Sequence, residues 1–384
     1  MISDSDLGLT EHTDAIYKHH EQLNQMSYGT FNPSPEDTWD QVQELPWIDK
    51  PTSQAWINVV SAAKPVLFNT WEEIGECVKS WTPDYLKLKC GQKKCFVHLS
   101  NPLSSTTLRW HNKNFKYEKM SFMELIDQTT GAATSGGKNK DRRIVYLRSL
   151  SNSPKHPSNF HTDFPEISLD FKIPQAVNDY IIDCDAFFSS VLRISGADMG
   201  LWPHYDTYDN ILVQVQGKKL VRLWHPRQIT NLYIEGSSSR IPSFDPPDLN
   251  WFPLYHKSHP LLCVLNSGDS LFTPANWIHA VQTLEPSISV NMFFKPNRLS
   301  DFYKSKKKDI WGNVDLAPYN ELHERLFLDI LAAAPHQRLA DPPRDQNNSL
   351  GSRFNCLPID QRQFYLKKIA IDLIRHADQL SQSL

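Results

Sequence analysis

Leu201-Trp202-Pro203-His204-Tyr205-Asp206 sets an imidazole and a carboxylate two residues apart in a stretch that reads as extended chain. In a strand, residues i and i+2 point to the same face, so His204 and Asp206 can grip one ion. A bare His-x-Asp occurs often by chance, and its weight depends on what surrounds it. On both sides, short apolar segments alternate with turn residues. They are Ile144–Leu147, Phe188–Ile194, Ile211–Val215, Leu220–Trp224, Leu261–Leu265, Ser270–Thr273, Ile278–Gln282 and Ile288–Phe294. Eight such segments predict a barrel or jelly roll. Asn266-Ser267-Gly268-Asp269 supplies a turn between two of them.

A metal site needs a third ligand, and His279 in Pro274-Ala275-Asn276-Trp277-Ile278-His279 is the best candidate. Two imidazoles and a carboxylate form the facial triad of non-haem Fe(II) oxygenases, which leaves coordination positions open. Further polar residues stand at suggestive places. Lys219 follows His204 by fifteen residues in Gln216-Gly217-Lys218-Lys219, Asn210 lies between them, and Asn291 follows His279 by twelve.

The order H-Y-D, Asn, G-x-K, then Asp269-Ser270-Leu271-Phe272-Thr273-Pro274-Ala275-Asn276-Trp277-Ile278-His279 and Val290-Asn291-Met292-Phe293-Phe294, resembles the JmjC hydroxylases of the cupin superfamily. The resemblance spans roughly residues 187–295 and implies a mainly β fold. A double-stranded β-helix (jelly roll) core would carry flanking helices and a C-terminal helical segment. It also implies Fe(II) held by His204, Asp206 and His279, with 2-oxoglutarate as cosubstrate and dioxygen as oxidant. Lys219 is then expected to pair with the distal carboxylate of 2-oxoglutarate, a charge-assisted contact in a partly dry pocket. Tyr146, in Val145-Tyr146-Leu147-Arg148, matches a tyrosine that bonds the same end. Asn210 and Asn291 match amides near the metal-bound end. One departure stands out: Leu201 occupies the position where asparaginyl-hydroxylase-like relatives carry a threonine that contacts the cosubstrate.

Within that superfamily the chain resembles the tRNA wybutosine-synthesising hydroxylases. The L-W-x-H-Y-D form of the motif, Gln214-Val215-Gln216-Gly217-Lys218-Lys219, Phe187 through Ser195, Tyr146 through Leu150 and Trp311-Gly312-Asn313-x-Asp315 carry the likeness. This implies a hydroxylase acting on the side chain of a wybutosine-type base in phenylalanine tRNA, dimeric through its C-terminal helices. The motifs alone do not separate this from a JmjC protein hydroxylase or demethylase acting on an amino-acid side chain. A non-catalytic cupin would have lost a ligand or the lysine, and neither is missing.

The rest of the 384-residue chain fits around this block. Its 40% hydrophobic and 11% aromatic content supports a packed core, and 14 Gly with 26 Pro suits short strands joined by turns. Residues 1–50 carry ten acidic side chains against Lys18 and Lys50, leaving the remainder near +5 of a net −3. Residues 1–48 read as an acidic, disordered extension. The oxygenase domain is expected over 49–296, opening with α/β elements. Among these are a helix at Trp56–Val60, a strand at Lys64–Phe68, a helix starting at Trp81–Leu86 with Pro83 in its first turn, and a strand at Phe96–Leu99. Thr129–Asn139 reads as a flexible excursion.

A helical region fills 297–384. One apolar stripe runs along Leu322, Leu326, Phe327, Ile330, Leu331 and Ala334. A polar insertion spans 335–358. Asp360-x-x-Gln363 then opens a second helix with Phe364, Ile369, Leu373 and Ala377 inward. The stripes are expected to pack on the barrel or to pair two copies as a homodimer.

Six cysteines without a CxxC pair read as ordinary thiols, and Cys90, Cys95, His98 and His111 match no zinc spacing. No apolar run approaches the ~20 residues of a membrane span. The acidic start does not read as a signal peptide. A soluble intracellular chain, cytoplasmic or nuclear, is expected. Basic runs at Lys304 to Lys308 and Lys138 to Arg143 read as solvated loops, so a tRNA partner rests on resemblance and not on charge.

Overall fold

The computed structural model describes residues 45–49, 52–101, 107–130, 143–151, 156–183, 185–242, 247–296, 363–371 and 373–374. Six strands precede the motif block: β1 (Trp47–Asp49), β2 (Val66–Asn69), β3 (Lys94–Ser100), β4 (Thr107–Leu108), β5 (Phe115–Ser121) and β6 (Val145–Arg148). Ten follow: β7 (Phe187–Ser195), β8 (Gly200–His204), β9 (Asp209–Gln216), β10 (Lys219–Trp224), β11 (Ile234–Glu235), β12 (Ser238–Ser239), β13 (Leu261–Leu265), β14 (Asp269–Thr273), β15 (Ile278–Thr283) and β16 (Ser287–Phe294). All eight strands expected between Arg143 and Phe294 are present.

The strands form a nine-stranded sheet, ordered β1-β2-β14-β9-β16-β7-β6-β3-β5, and a smaller one, ordered β11-β12-β8-β15-β10-β13 with β4 on β8. From β7 to β10 the chain steps from one sheet to the other at each strand, and after the β11–β12 excursion β13 to β16 does so again. This is the expected jelly roll.

The central strands are covered on both faces, and period-2 alternation divides their side chains. On β9, Ile211, Val213 and Val215 face outward into a core shared with Trp56, Trp81, Phe122 and Phe160 of the covering helices and turns. On β16, Ile288, Val290, Met292 and Phe294 join the same layer. Leu212 points the other way, to Val221, Leu223, Leu271 and Trp277 between the sheets. The inner face therefore holds the polar residues of β9 and β16, where a strand buried for packing alone would be apolar.

The helices form where the sequence signals place them. Ser53–Ala62 is N-capped by Thr52, whose hydroxyl accepts from the Ala55 amide, and Pro83–Cys90 is capped by Thr82 with Pro83 at its start. Gly217, at φ 74°, makes the tight turn from β9 into β10, and a Cβ there would lie 2.0 Å from the Pro286 carbonyl oxygen.

Residues 363–371 are helical, as the capping box predicts. Phe364, Tyr365 and Ile369 are buried against Tyr205, Trp224 and Ile278 of the barrel. This part of the stripe packs within the chain, while Leu366 and Ile374 stay exposed. The 1–44 part of the acidic extension, the Leu322–Ala334 stripe, the 335–358 insertion, most of the Thr129–Asn139 excursion, Asp360 and Ala377 lie outside the described residues. No helix among those described is long and apolar enough to cross a membrane.

Candidate metal centre

His204 ends β8 and faces His279 of β15 directly across the ladder, with ring centroids 4.4 Å apart. The strand stops at His204, so Asp206 is carried by the following turn and not by an extended strand as its spacing suggested. The Asn276 amide donates to the Asp206 carbonyl at 2.8 Å and fixes that turn. Candidate ligand atoms of His204, Asp206 and His279 converge within 4.8 Å of one another, the one such cluster among the described residues.

The hydrogen bonds decide which ring nitrogen is available. His204 Nδ1 lies 2.8 Å from the Trp202 carbonyl oxygen, and His279 Nδ1 lies 3.0 Å from that of Trp277. A carbonyl only accepts, so each Nδ1 carries the proton and each Nε2 presents a lone pair. The His279 Nε2 stands 3.6 Å from Asp206 Oδ2, which is buried and has no hydrogen-bond partner. Two lone pairs and an orphaned carboxylate oxygen aimed at one point suit a cation. Burial, and then the neighbouring His279, hold the His204 imidazole well below its ordinary value. Burial alone would raise the Asp206 carboxyl, but the two imidazoles, Arg193 and Arg148 draw it lower. A neutral His204 imidazole beside an ionised Asp206 carboxylate is the form that binds a metal.

A pocket opens beside this cluster, and Tyr146, Asn210, Lys219 and Asn291 all line it with the two histidines. Lys219 is 4% exposed and donates to the Ser289 hydroxyl. Among the described residues no carboxylate lies within ion-pair distance of it. Burial, followed by the charge of Arg193, brings its ammonium down to about 7. A buried cation without a counter-charge awaits an anion. Asn291 donates to Asn210 Oδ1 at 3.1 Å, and its own Oδ1 is buried without a partner.

Three further residues line the pocket or hold its lysine and escaped the sequence reading. Arg193 of β7 donates to the Tyr146 hydroxyl, and its Nε is buried and unpartnered. A charge between Leu192 and Ile194 was its available signal. Ser289 shares the inner face of β16 with Asn291, as alternation requires. Thr273 ends β14 opposite Asn210. Leu201 is on the pocket wall as well, so the threonine position is apolar, and Thr273 adds a hydroxyl-bearing side chain to the lining while Ser289 holds Lys219 from behind. Cys77, Cys90, Cys95 and Cys263 are free and buried, in keeping with ordinary thiols.

Residues 52–300 match the cupin-like domain family. The chain is 37% identical over 243 residues to tRNA wybutosine-synthesizing protein 5 of Danio rerio, covering 63% of this chain and 71% of that protein. It is 35% identical over 246 residues to the Homo sapiens protein of the same name, covering 63% and 74%. Against tRNA wybutosine-synthesizing protein 4 of Gibberella zeae it is 29% identical over 382 residues, which is 97% of this chain and 33% of that longer protein. The chain belongs to the cupin-like domain family and is a homologue of tRNA wybutosine-synthesizing proteins 4 and 5.

Proposed function

We propose that this chain is an Fe(II)- and 2-oxoglutarate-dependent oxygenase that hydroxylates the side chain of a wybutosine-type base in tRNA. The observation that carries the reading is the pairing of two features in one pocket. The His204, Asp206 and His279 donors converge with Asp206 Oδ2 unpartnered, and the buried Lys219 has no carboxylate within ion-pair distance among the described residues. Fe(II) bound there supplies open coordination positions at which 2-oxoglutarate and dioxygen react.

The chain's own residues do the rest. Lys219 neutralises the distal carboxylate of 2-oxoglutarate, and the Tyr146 hydroxyl, which accepts from Arg193, keeps its proton to donate to the same group. Asn210 and Asn291, tied to each other, present amide groups at the metal side of the pocket. Leu201, Leu212, Val221 and Leu271 exclude water around these contacts and so strengthen them. The names of the relatives support tRNA as the substrate. A protein hydroxylase or demethylase would use the same pocket, and the substrate assay separates the two.

Protein loaded anaerobically with Fe(II) and 2-oxoglutarate is exposed to oxygen with bulk tRNA, followed by nucleoside mass spectrometry. One oxygen added to a wybutosine-type base, absent with His204→Ala, is the expected result. Succinate formed with every nucleoside unchanged would overturn the tRNA substrate and direct the search to proteins.

A further inference from the structure

Beside the metal centre lies an aromatic cluster that the reaction as described does not use. β4 runs parallel to β8, with Leu108 opposite Leu201, so the turn that follows β4 passes alongside Trp202 and His204. That turn is built firmly. The Arg109 amide donates to Asn114 Oδ1 at 2.9 Å, Asn114 Nδ2 donates to the Thr107 carbonyl at 2.9 Å, and Asn112 takes a left-handed φ of 53°.

The turn sets Trp110 5.8 Å from Trp202, and Trp202 in turn stacks parallel to Phe115, at 6.0 Å with 6° between planes. Trp202 is anchored by its Nε1, which donates to the Ser238 hydroxyl at 3.1 Å, and its ring lies 5.8 Å from that of His204. The row of rings thus leads from the surface to a metal ligand. Its outer end is wet: Trp110 is 44% exposed and Tyr117 54%.

Charge accompanies the rings. From Thr107 to Tyr117 the chain has no acidic residue and interleaves Arg109, His111, Lys113 and Lys116 with Trp110, Phe115 and Tyr117. The Lys113 ammonium sits 4.3 Å above the Trp110 ring, and among the described residues it has no carboxylate partner. Lys116 is taken up by Glu118, which leaves Lys113 as the cation set against the exposed rings, and a ring with a cation beside it is what an unstacked nucleic-acid strand requires. Bases stack on the rings, and cations take the phosphates. A dry protein interface would instead have to strip water from Lys113 with nothing to replace it.

We propose that Trp110, backed by Trp202, is the platform on which the substrate's base stacks, with Lys113 swinging from the ring face onto an adjacent phosphate. This rests on the tRNA reading above and adds where and how the nucleic acid is held. The platform's neighbour at its inner end is His204, so a base stacked there directs its side chain toward the metal centre. Single-stranded loops are accepted and duplex ends refused, because a paired base cannot present a free face.

The test is binding of an anticodon stem-loop RNA by the full chain, followed by fluorescence anisotropy, with 2-oxoglutarate affinity measured in parallel. Trp110→Ala is expected to weaken RNA binding about 10-fold, within the range a single base stack contributes, and to raise KM more than it lowers kcat. Trp110→Phe keeps a ring and restores most of the binding, which a merely structural role would not require. Lys113→Gln lowers the slope of log Kd against log salt by about 0.7, one phosphate contact on a single strand. Equal RNA affinity in Trp110→Ala and wild type overturns the platform while leaving the tRNA reading intact. Wild type that binds no RNA, or binds only a peptide, overturns both. Weakened RNA binding in Trp110→Ala without any hydroxylated nucleoside supports the platform and overturns the reaction.

Discussion

Replacing Lys219 with methionine should move stability and cosubstrate affinity in opposite directions. The ammonium is buried, pushed from an ordinary 10.5 to about 7, and among the described residues it donates to one hydroxyl, that of Ser289. At 1.36 kcal/mol per pH unit, holding it charged costs the ligand-free fold about 5 kcal/mol. Methionine fills a similar volume and removes that cost, but leaves the Ser289 hydroxyl orphaned at about 1–3 kcal/mol. The variant should therefore gain about 2–4 kcal/mol without ligand, several degrees in Tm.

The sign of the pH effect follows from the same numbers. Below pH 7 both folded and unfolded chains hold the proton and the penalty is complete. Between 7 and 10.5 the folded chain releases its proton first, so the penalty shrinks. The gain should be largest at pH 6 and narrower at pH 9. With the cation gone, 2-oxoglutarate loses a charge-assisted contact of about 1.5–3 kcal/mol, or about 10- to 150-fold in affinity. Thermal melts of both proteins at pH 6 and 9, with and without 2-oxoglutarate and Mn(II), read both effects. A variant that melts at or below the parent at pH 6 without ligand, or that binds 2-oxoglutarate as tightly, refutes the reasoning.

Four other outcomes are expected. In the wild type, 2-oxoglutarate affinity should hold steady below pH 7 and fall with each pH unit above it, as the free pocket loses the Lys219 proton; calorimetry from pH 6 to 9 that shows no decline would contradict this. Asp206→Ala should weaken Co(II) binding by more than about 100-fold, since loss of a ligand exceeds the usual loss for its supporting partners, and the cobalt absorption spectrum monitors it. Gly217→Ala combines a φ of 74° with a Cβ 2.0 Å from the Pro286 carbonyl oxygen, so it should destabilise by about 3 kcal/mol or more, read as a lowered urea midpoint. We propose that the 297–384 region pairs two copies, and light scattering at micromolar concentration should give twice the 44.3 kDa chain mass; a monomer mass would sink the dimer.

Much of the site was legible because its chemistry is tied to chain order. His204 and His279, with Lys219, Asn210, Asn291 and Tyr146, sit at strand positions that alternation and motif order pick out and line one pocket, while Asp206 joins the two histidines from the turn after β8. Ser289 and Arg193 were equally available to period-2 reasoning, Ser289 beside Asn291 and Arg193 as a charge between Leu192 and Ile194. What could not be read is the path of β8. Strict alternation over Gly200–His204 puts Leu201 on the face opposite His204. Across the ladder, however, His279 pairs with His204 and Val281 with Leu201, so three steps on β8 match two on β15.

That extra residue is a bulge, and Pro203, which has no amide proton to give a ladder, falls within it. The bulge turns Leu201 back onto the pocket wall beside His204 and sends the Trp202 ring sideways toward Phe115 and Trp110. One local irregularity thereby sets two properties of the site. It makes the identity of residue 201 matter to the pocket, whose wall carries an apolar Leu201 beside Thr273. It also frees Trp202 to join the ring cluster that leads from the surface to His204. A straight β8 would keep His204 facing His279 and lose both.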